Sequence, residues 1–256
     1  MTRLHRIIPF LLSILMACTA VCASAFSPSN ETLNYKVMYK WGLIHKQAGT
    51  ATITLRPGGA GYKAVATAKS APWADKIYRL RDTLRTEMKH TFAPVKYERI
   101  AHEDGKFSHD LLTFTQSGQT VKAHCQRWRK KKSEQSANYA TTDLSASGMT
   151  LDIFSSFYYL RALPFPTMNP GTTKRVNIFS GKKKELLTFT YAGITTLKIN
   201  GKEYQTYKVT FTFTSDGKKQ TSDPIEAWVS TEPSRIPLKL IGKLKIGQVQ
   251  CIYTGL

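Results

Sequence analysis

Apolar and polar positions alternate with a period of two along most of the chain. Leu33, Tyr35, Val37, Tyr39 and Trp41 alternate with Asn34, Lys36, Met38 and Lys40. Ala51, Ile53 and Leu55 alternate with threonines, and Tyr207, Val209, Phe211 and Phe213 alternate with Lys208 and three more threonines. Successive side chains of a strand point to opposite faces, so this pattern predicts strands with one face in a core and one in water. Turn signals separate them: Pro57-Gly58-Gly59, Asp104-Gly105, Ser117-Gly118, Ser180-Gly181, Asn200-Gly201 and Asp216-Gly217. Asn-Gly and Asp-Gly accept the positive φ angles that tight hairpins need. Closely spaced turns leave no room for parallel crossovers and predict antiparallel pairing throughout. The expected fold class is mainly β: a curled antiparallel sheet of about a dozen strands, closed as a half-barrel, barrel or sandwich.

Two stretches break the alternation. Residues 130–149 are polar and rich in Ser and Ala, and read as one long irregular loop between an N-terminal and a C-terminal meander. Residues 150–162 then read as the one helix, with Thr150 as cap, Asp152 at its positive end and Pro164 beyond its stop. At 100° per residue, Ile153, Phe154, Phe157, Tyr158 and Leu160 share a broad apolar face, while Asp152, Ser155 and Ser156 point elsewhere. Arg161 projects into the apolar arc. A guanidinium keeps its charge, so it needs a partner there. Three roles fit: satisfying helix-end carbonyls while reaching water, an ion pair to Asp82, Glu87 or Glu226 on a strand, or an anion site with Tyr158 beside it.

The start of the chain changes the picture of where this fold works. Arg3, His5 and Arg6 precede an apolar run from Ile7 to Met16, followed by Ala23-Ser24-Ala25. That is the order of a signal peptide cleaved after Ala25, leaving 26–256 as a single β-rich domain. Leu15-Met16-Ala17-Cys18 also matches a lipobox, which would anchor the protein through a lipidated Cys18. Both readings export the chain, to the periplasm or the outer membrane.

The full chain carries a formal charge of +20, from 37 Lys and Arg against 17 Asp and Glu. A positive surface outside the cytoplasm attracts lipopolysaccharide, acidic glycans and anionic headgroups, and favours peripheral membrane association over nucleic acid. Cys125 and Cys251 are the cysteines left after the leader. Both occupy apolar-side strand positions, and the exported setting permits either one disulfide or two buried free thiols.

Asn34-Tyr35-Lys36-Val37, Ala48-Gly49-Thr50-Ala51, Ala93-Pro94-Val95-Lys96-Tyr97-Glu98, Asp152 through Arg161, Ala227-Trp228-Val229-Ser230, Arg235-Ile236-Pro237-Leu238 and Ile246-Gly247-Gln248-Val249 follow one another in order. In that order they resemble the bacterial domain-of-unknown-function family 3108. The resemblance implies an exported envelope protein of mainly antiparallel β structure, and it implies no activity.

Candidate chemistry is sparse. A turn at Asp104-Gly105 puts His102 and His109 on one face of a hairpin with Glu98, a weak candidate metal set and more simply a solvated tip. Arg127-Trp128-Arg129, followed by three lysines, could meet lipid phosphates. No nucleophile elbow, zinc-protease helix or phosphate loop occurs, and the chain implies no cofactor. Three functional readings compete. The first is a non-catalytic binding protein for an apolar or anionic envelope ligand, lipid or glycan. The second is a structural or assembly protein with a solid core. The third is a glycan or lipid hydrolase, which would need a carboxylate pair that the sequence does not display.

Overall fold

The computed structural model describes residues 26–215, 218–219, 223–244 and 246–255. The expected leader and the Asp216-Gly217 turn lie outside the described residues. The alternating segments fold as strands: β1 (Glu31–Trp41), β2 (Ile44–Gly58), β3 (Gly61–Ser70), β4 (Leu80–Met88), β5 (Pro94–Glu103), β6 (Lys106–Ser117) and β7 (Thr120–Lys130). The chain continues through β8 (Asn138–Ser147), β9 (Thr150–Asp152), β10 (Thr173–Ser180), β11 (Lys183–Ile199) and β12 (Lys202–Ser215). It ends with β13 (Lys218–Lys219), β14 (Ile225–Ser230), β15 (Pro237–Lys243) and β16 (Gln248–Tyr253). A short helix, α1 (Pro72–Asp75), precedes β4, and a longer one, α2 (Ile153–Arg161), follows β9.

One sheet contains all the strands, in the order β8-β7-β6-β5-β4-β3-β2-β1-β16-β15-β14-β12-β11-β10-β9, with β13 paired to β12. The two ends of this path, β8 and β9, are consecutive in sequence. Asn177 of β10 donates its side-chain amide to the carbonyls of Ser147 and Met149, 2.9 and 3.4 Å away, which draws the ends together. The sheet is a nearly closed, barrel-like curl. Asp104 and Asn200 adopt φ of 48° and 51° before glycines at 79° and 82°, the geometry expected of both dipeptides.

Four expectations are corrected. Fifteen strands lie on the main path rather than about a dozen. The polar stretch 130–149 is not a loop throughout, because β8 occupies half of it and pairs with β7. β8 is an edge strand with a wet outer face, and of its residues only Leu144 and Ala146 join the apolar core, so its composition looks loop-like. Pairing is not wholly antiparallel: β9 runs parallel to β10, with α2 and the largely irregular segment after it, up to residue 172, serving as the crossover. The helix starts at Ile153, not Thr150. Asp152 is its N-cap, accepting from the Phe154 and Ser155 amides, while the Ser155 hydroxyl accepts from the Asp152 amide. This capping box satisfies the orphan donors of the first turn.

α2 lies inside the curl. Asp152, Ser155 and Ser156, away from the apolar face, are all buried. Their polar atoms are spent on the capping box, on Thr86 of β4 (2.7 Å from Asp152) and, for Ser156, on the Ile153 carbonyl. Phe154 and Tyr158 pack into the core of β2–β8, while Leu160, Leu163 and Phe165 pack into that of β10–β14. Each such side chain contributes roughly 1.5–3 kcal/mol of burial. The helix therefore fills one half of the curl solidly and leaves the other end open.

Candidate ligand-binding site

At the end of the sheet where β1 finishes and β16 begins, the inner face surrounds an open apolar cavity of about 770 Å³. One wall is β1 and β16, through Val37, Tyr39, Trp41, Val249 and Cys251. The same wall continues through the neighbouring strands β2 and β3, with Gly49, Ala51, Ala68 and Ser70. Trp73 and Ala74 of α1, with Ile77 and Leu80, form the side. The space exists because of a size contrast. Inward positions of β2 and β3 here carry Gly, Ala and Ser, whereas deeper in the molecule Ile53 and Leu55 of β2 and Tyr62 of β3 join the core.

Local backbone geometry supports the wall. The β1–β2 ladder slips between Val37 and Met38, a bulge opposite Ala48. The Ala48 carbonyl accepts from the Ala71 amide at 2.7 Å, which brings α1 against β2. A Cβ on Gly49 would sit 2.4 Å from the Lys69 carbonyl oxygen, so β2 and β3 can approach only with glycine there. Trp73 is fixed by its indole N–H, which donates to the Gln47 carbonyl at 2.7 Å, and by Lys46 lying 4.8 Å from its ring. Asp75 anchors the far end of α1, accepting from Arg81 at 2.6 and 3.0 Å and from Ser70. Those hydrogen bonds, Arg81 first, lower the Asp75 carboxyl to about 2.

Among the described residues the wall holds no carboxylate and no histidine. Its titratable groups are Cys251, whose thiol burial pushes up, with Tyr39, Tyr78 and Lys69 at the margins. The arrangement is suited to excluding water from an apolar molecule rather than to moving protons.

The residues singled out in the sequence lie elsewhere. Arg161 is completely buried and its partner is Glu31, not Asp82, Glu87 or Glu226. Those three acids pair with Arg99, Lys63 and Lys208 instead. The Arg161 guanidinium meets both Glu31 oxygens at 2.5 and 2.8 Å and donates to the carbonyls of Ser234 and Arg235. Phe26 and Tyr158 stack over it at 4.7 and 5.3 Å. The Tyr158 hydroxyl is raised by burial. Arg161 and Tyr158 thus belong to the packed interior.

Arg127 and Arg129 point inward and share Asp110, at 3.1 Å and at 2.5 and 2.6 Å. Trp128 turns to the outer face, stacked on His109 at 4.6 Å and tilted against Tyr139 at 5.1 Å. The basic–aromatic run is therefore split between the two faces of the sheet. His109 pairs with Glu98 at 3.0 Å, and Glu98, though burial opposes it, is lowered by its hydrogen bonds to Arg85 and His109. His102 leans on Phe107, which stands between the two imidazoles, and the described residues contain no metal-ligating cluster of three. Cys125 and Cys251 are free thiols, seven places apart in the strand order.

The cavity residues Trp41, Trp73, Ile77 and Tyr78 were not singled out in the sequence. The available signal was the turn Trp41-Gly42-Leu43-Ile44, apolar where hairpin tips are ordinarily polar.

The family model of DUF3108, described as a protein of unknown function, matches residues 34–252. The chain belongs to the DUF3108 family. No curated protein matches this DUF3108 chain. Its fold is similar to that of a β-barrel-like protein of the domain of unknown function DUF1849 from Brucella abortus. The TM-score is 0.61 at 9% identity, covering 90% of this chain and 98% of that one, a likeness of fold alone. A Bacteroides fragilis protein with a YmcC-like fold aligns at 11% identity over 90% of this chain and 97% of that one. Its TM-score of 0.32 is too low to carry an argument. Among the described residues of this DUF3108 member, no helix is long and apolar enough to cross a membrane.

Proposed function

We propose that the protein is a non-catalytic binding protein of the cell envelope that takes up a hydrocarbon chain, such as the acyl chain of a lipid, in the cavity between β1, β2, β3, β16 and α1. The observation that carries this reading is the 770 Å³ apolar space itself. Natural cores close such volumes because unfilled apolar surface forfeits packing, and the size lies within the roughly 300–1,000 Å³ of small-molecule sites. Lys46 and Lys69 at its edge suit an anionic head group outside the apolar part. The basic start, apolar run and Ala-Ser-Ala of residues 1–25 support export, to the periplasm or the outer membrane.

The test is binding of the environment-sensitive dye N-phenyl-1-naphthylamine, with displacement by palmitate. Wild type is expected to enhance the dye's emission. Ala51→Trp and Ala68→Phe, which fill the space from the adjacent strands β2 and β3, are expected to weaken dye binding by about tenfold or more with circular dichroism unchanged. Absence of enhancement by folded wild type, or two folded variants that bind as wild type does, would refute the proposal.

A further inference from the structure

Three turns meet at the mouth of this cavity. The β1–β2 turn carries Leu43 and Ile44, the segment between α1 and β4 carries Ile77 and Tyr78, and the β15–β16 turn carries Leu244 and Ile246. They are neighbours because Trp41 pairs with Ile44, Lys40 and Lys243 each pair with Gln248, and Gly49 pairs with Ser70 just before α1. Leu43 is 105% exposed, Ile77 75% and Ile246 59%, so most of this apolar surface is left in water. The β5–β6 turn at the same end, Asp104-Gly105, shows the polar alternative. Contiguous exposed apolar side chains mark an interaction surface.

Charge identifies the occupant. Lys40, Lys46, Lys76 and Arg79 are exposed among these turns. The nearby acids are engaged: Asp75 by Arg81, Asp223 by Lys243, Glu103 by Arg99 and Asp104 by Lys132. An apolar tip ringed by cations, on a chain of net charge +20, matches a bilayer interface with anionic headgroups.

We infer that the rim formed by these three turns is a membrane-docking surface: Leu43, Ile77 and Ile246 enter the interface of an anionic bilayer, the flanking cations meet its headgroups, and the cavity mouth opens toward the acyl chains. The inference rests on the binding reading for its purpose, but it has its own test.

Flotation with mixed phosphatidylcholine–phosphatidylglycerol vesicles, and with phosphatidylcholine alone, gives that test, with tryptophan emission as second readout. Wild type is expected to float with the anionic vesicles, to shift its emission to the blue, and to dissociate as salt is raised. The triple variant Leu43→Ser/Ile77→Ser/Ile246→Ser is expected to lose about tenfold or more in vesicle affinity with its circular dichroism unchanged. Ala51→Trp, in contrast, keeps vesicle binding. Wild type that ignores anionic vesicles at low salt, binds neutral vesicles equally well, or floats undiminished with the triple variant overturns the docking surface. So does a wild-type dimer that the triple variant converts to monomer, since a second copy would then cover the rim. Vesicle binding without any dye binding would instead refute the cavity reading alone.

Discussion

Arg161 at the end of α2 and Glu31 at the start of β1, 130 residues apart, form a two-pronged ion pair inside the curl. The arginine side chain is 1% exposed and the glutamate 14%. The pair joins the first strand to the only long helix among the described residues, and through the Ser234 and Arg235 carbonyls to the β14–β15 turn. Removing one partner leaves a buried charge without its counterion. Glu31→Ala is therefore expected to destabilise by about 3–5 kcal/mol in urea unfolding. The double replacement Glu31→Leu/Arg161→Met is expected to cost less than Glu31→Ala alone. Equal stability of Glu31→Ala and wild type would mean that the pair is not closed in solution.

Asp152 makes stability depend on pH. Burial raises its carboxyl to about 6, against opposing hydrogen bonds from the Ser155 amide and Thr86. Its pKa in the unfolded chain is near 3.8, so the folded state holds the proton more tightly. The resulting stabilisation is complete below the unfolded value and is lost as pH rises through about 6. Asp152→Asn keeps an oxygen acceptor for the helix cap but cannot ionise. Wild type is thus expected to lose about 3 kcal/mol relative to Asp152→Asn between pH 3.5 and pH 7. Urea titrations of both proteins across that range measure it; a constant difference between them would exclude a raised Asp152.

Period-two alternation was sufficient to read the sheet, because the inner and outer faces of β1, β2 and β12 meet such different surroundings. It failed at β8, where only Leu144 and Ala146 report a core, and at β9, three residues buried on every side. The partner of Arg161 was illegible for a different reason. Glu31 stands before the alternation begins, and only the path of the closed sheet brings it under the helix. The cavity was illegible because a run of small residues in a strand looks the same over a void as over a large neighbour.

The shared carboxylate Asp110 sets a third expectation. Its partners Arg127 and Arg129 are 17% and 34% exposed in their side chains, so water offsets part of the loss when it is removed. Asp110→Ala is expected to cost roughly 2–3 kcal/mol. Gly181, at φ 69° in the β10–β11 turn, lies against the same carboxylate, and an added Cβ would stand 3.2 Å from its oxygen. Gly181→Ala is expected to cost roughly 1–2 kcal/mol from backbone strain together with this crowding. Combining the two changes removes the crowding, so the double variant should be more stable than the sum of the singles implies. Strict additivity would separate the turn from the Asp110 cluster.

The two thiols report the two halves of the interior separately. Cys125 sits in the solid core, where burial and then the nearby Asp110 charge raise it to about 11. Cys251 lines the cavity and is raised by burial. The thiolate is the reactive form, so both react slowly at neutral pH, but a small maleimide can reach only Cys251 without unfolding. Of these two, labelling of the native protein is expected to modify Cys251 and not Cys125, faster as pH rises. Saturating palmitate is expected to slow it, while Cys125 stays unmodified until denaturant is added. Denatured, unreduced protein should present both thiols. Mass spectrometry of the labelled peptides distinguishes the sites. If Cys125 reacts as fast as Cys251, the core around α2 is not solid; if palmitate leaves Cys251 labelling unchanged, its chain does not enter this cavity.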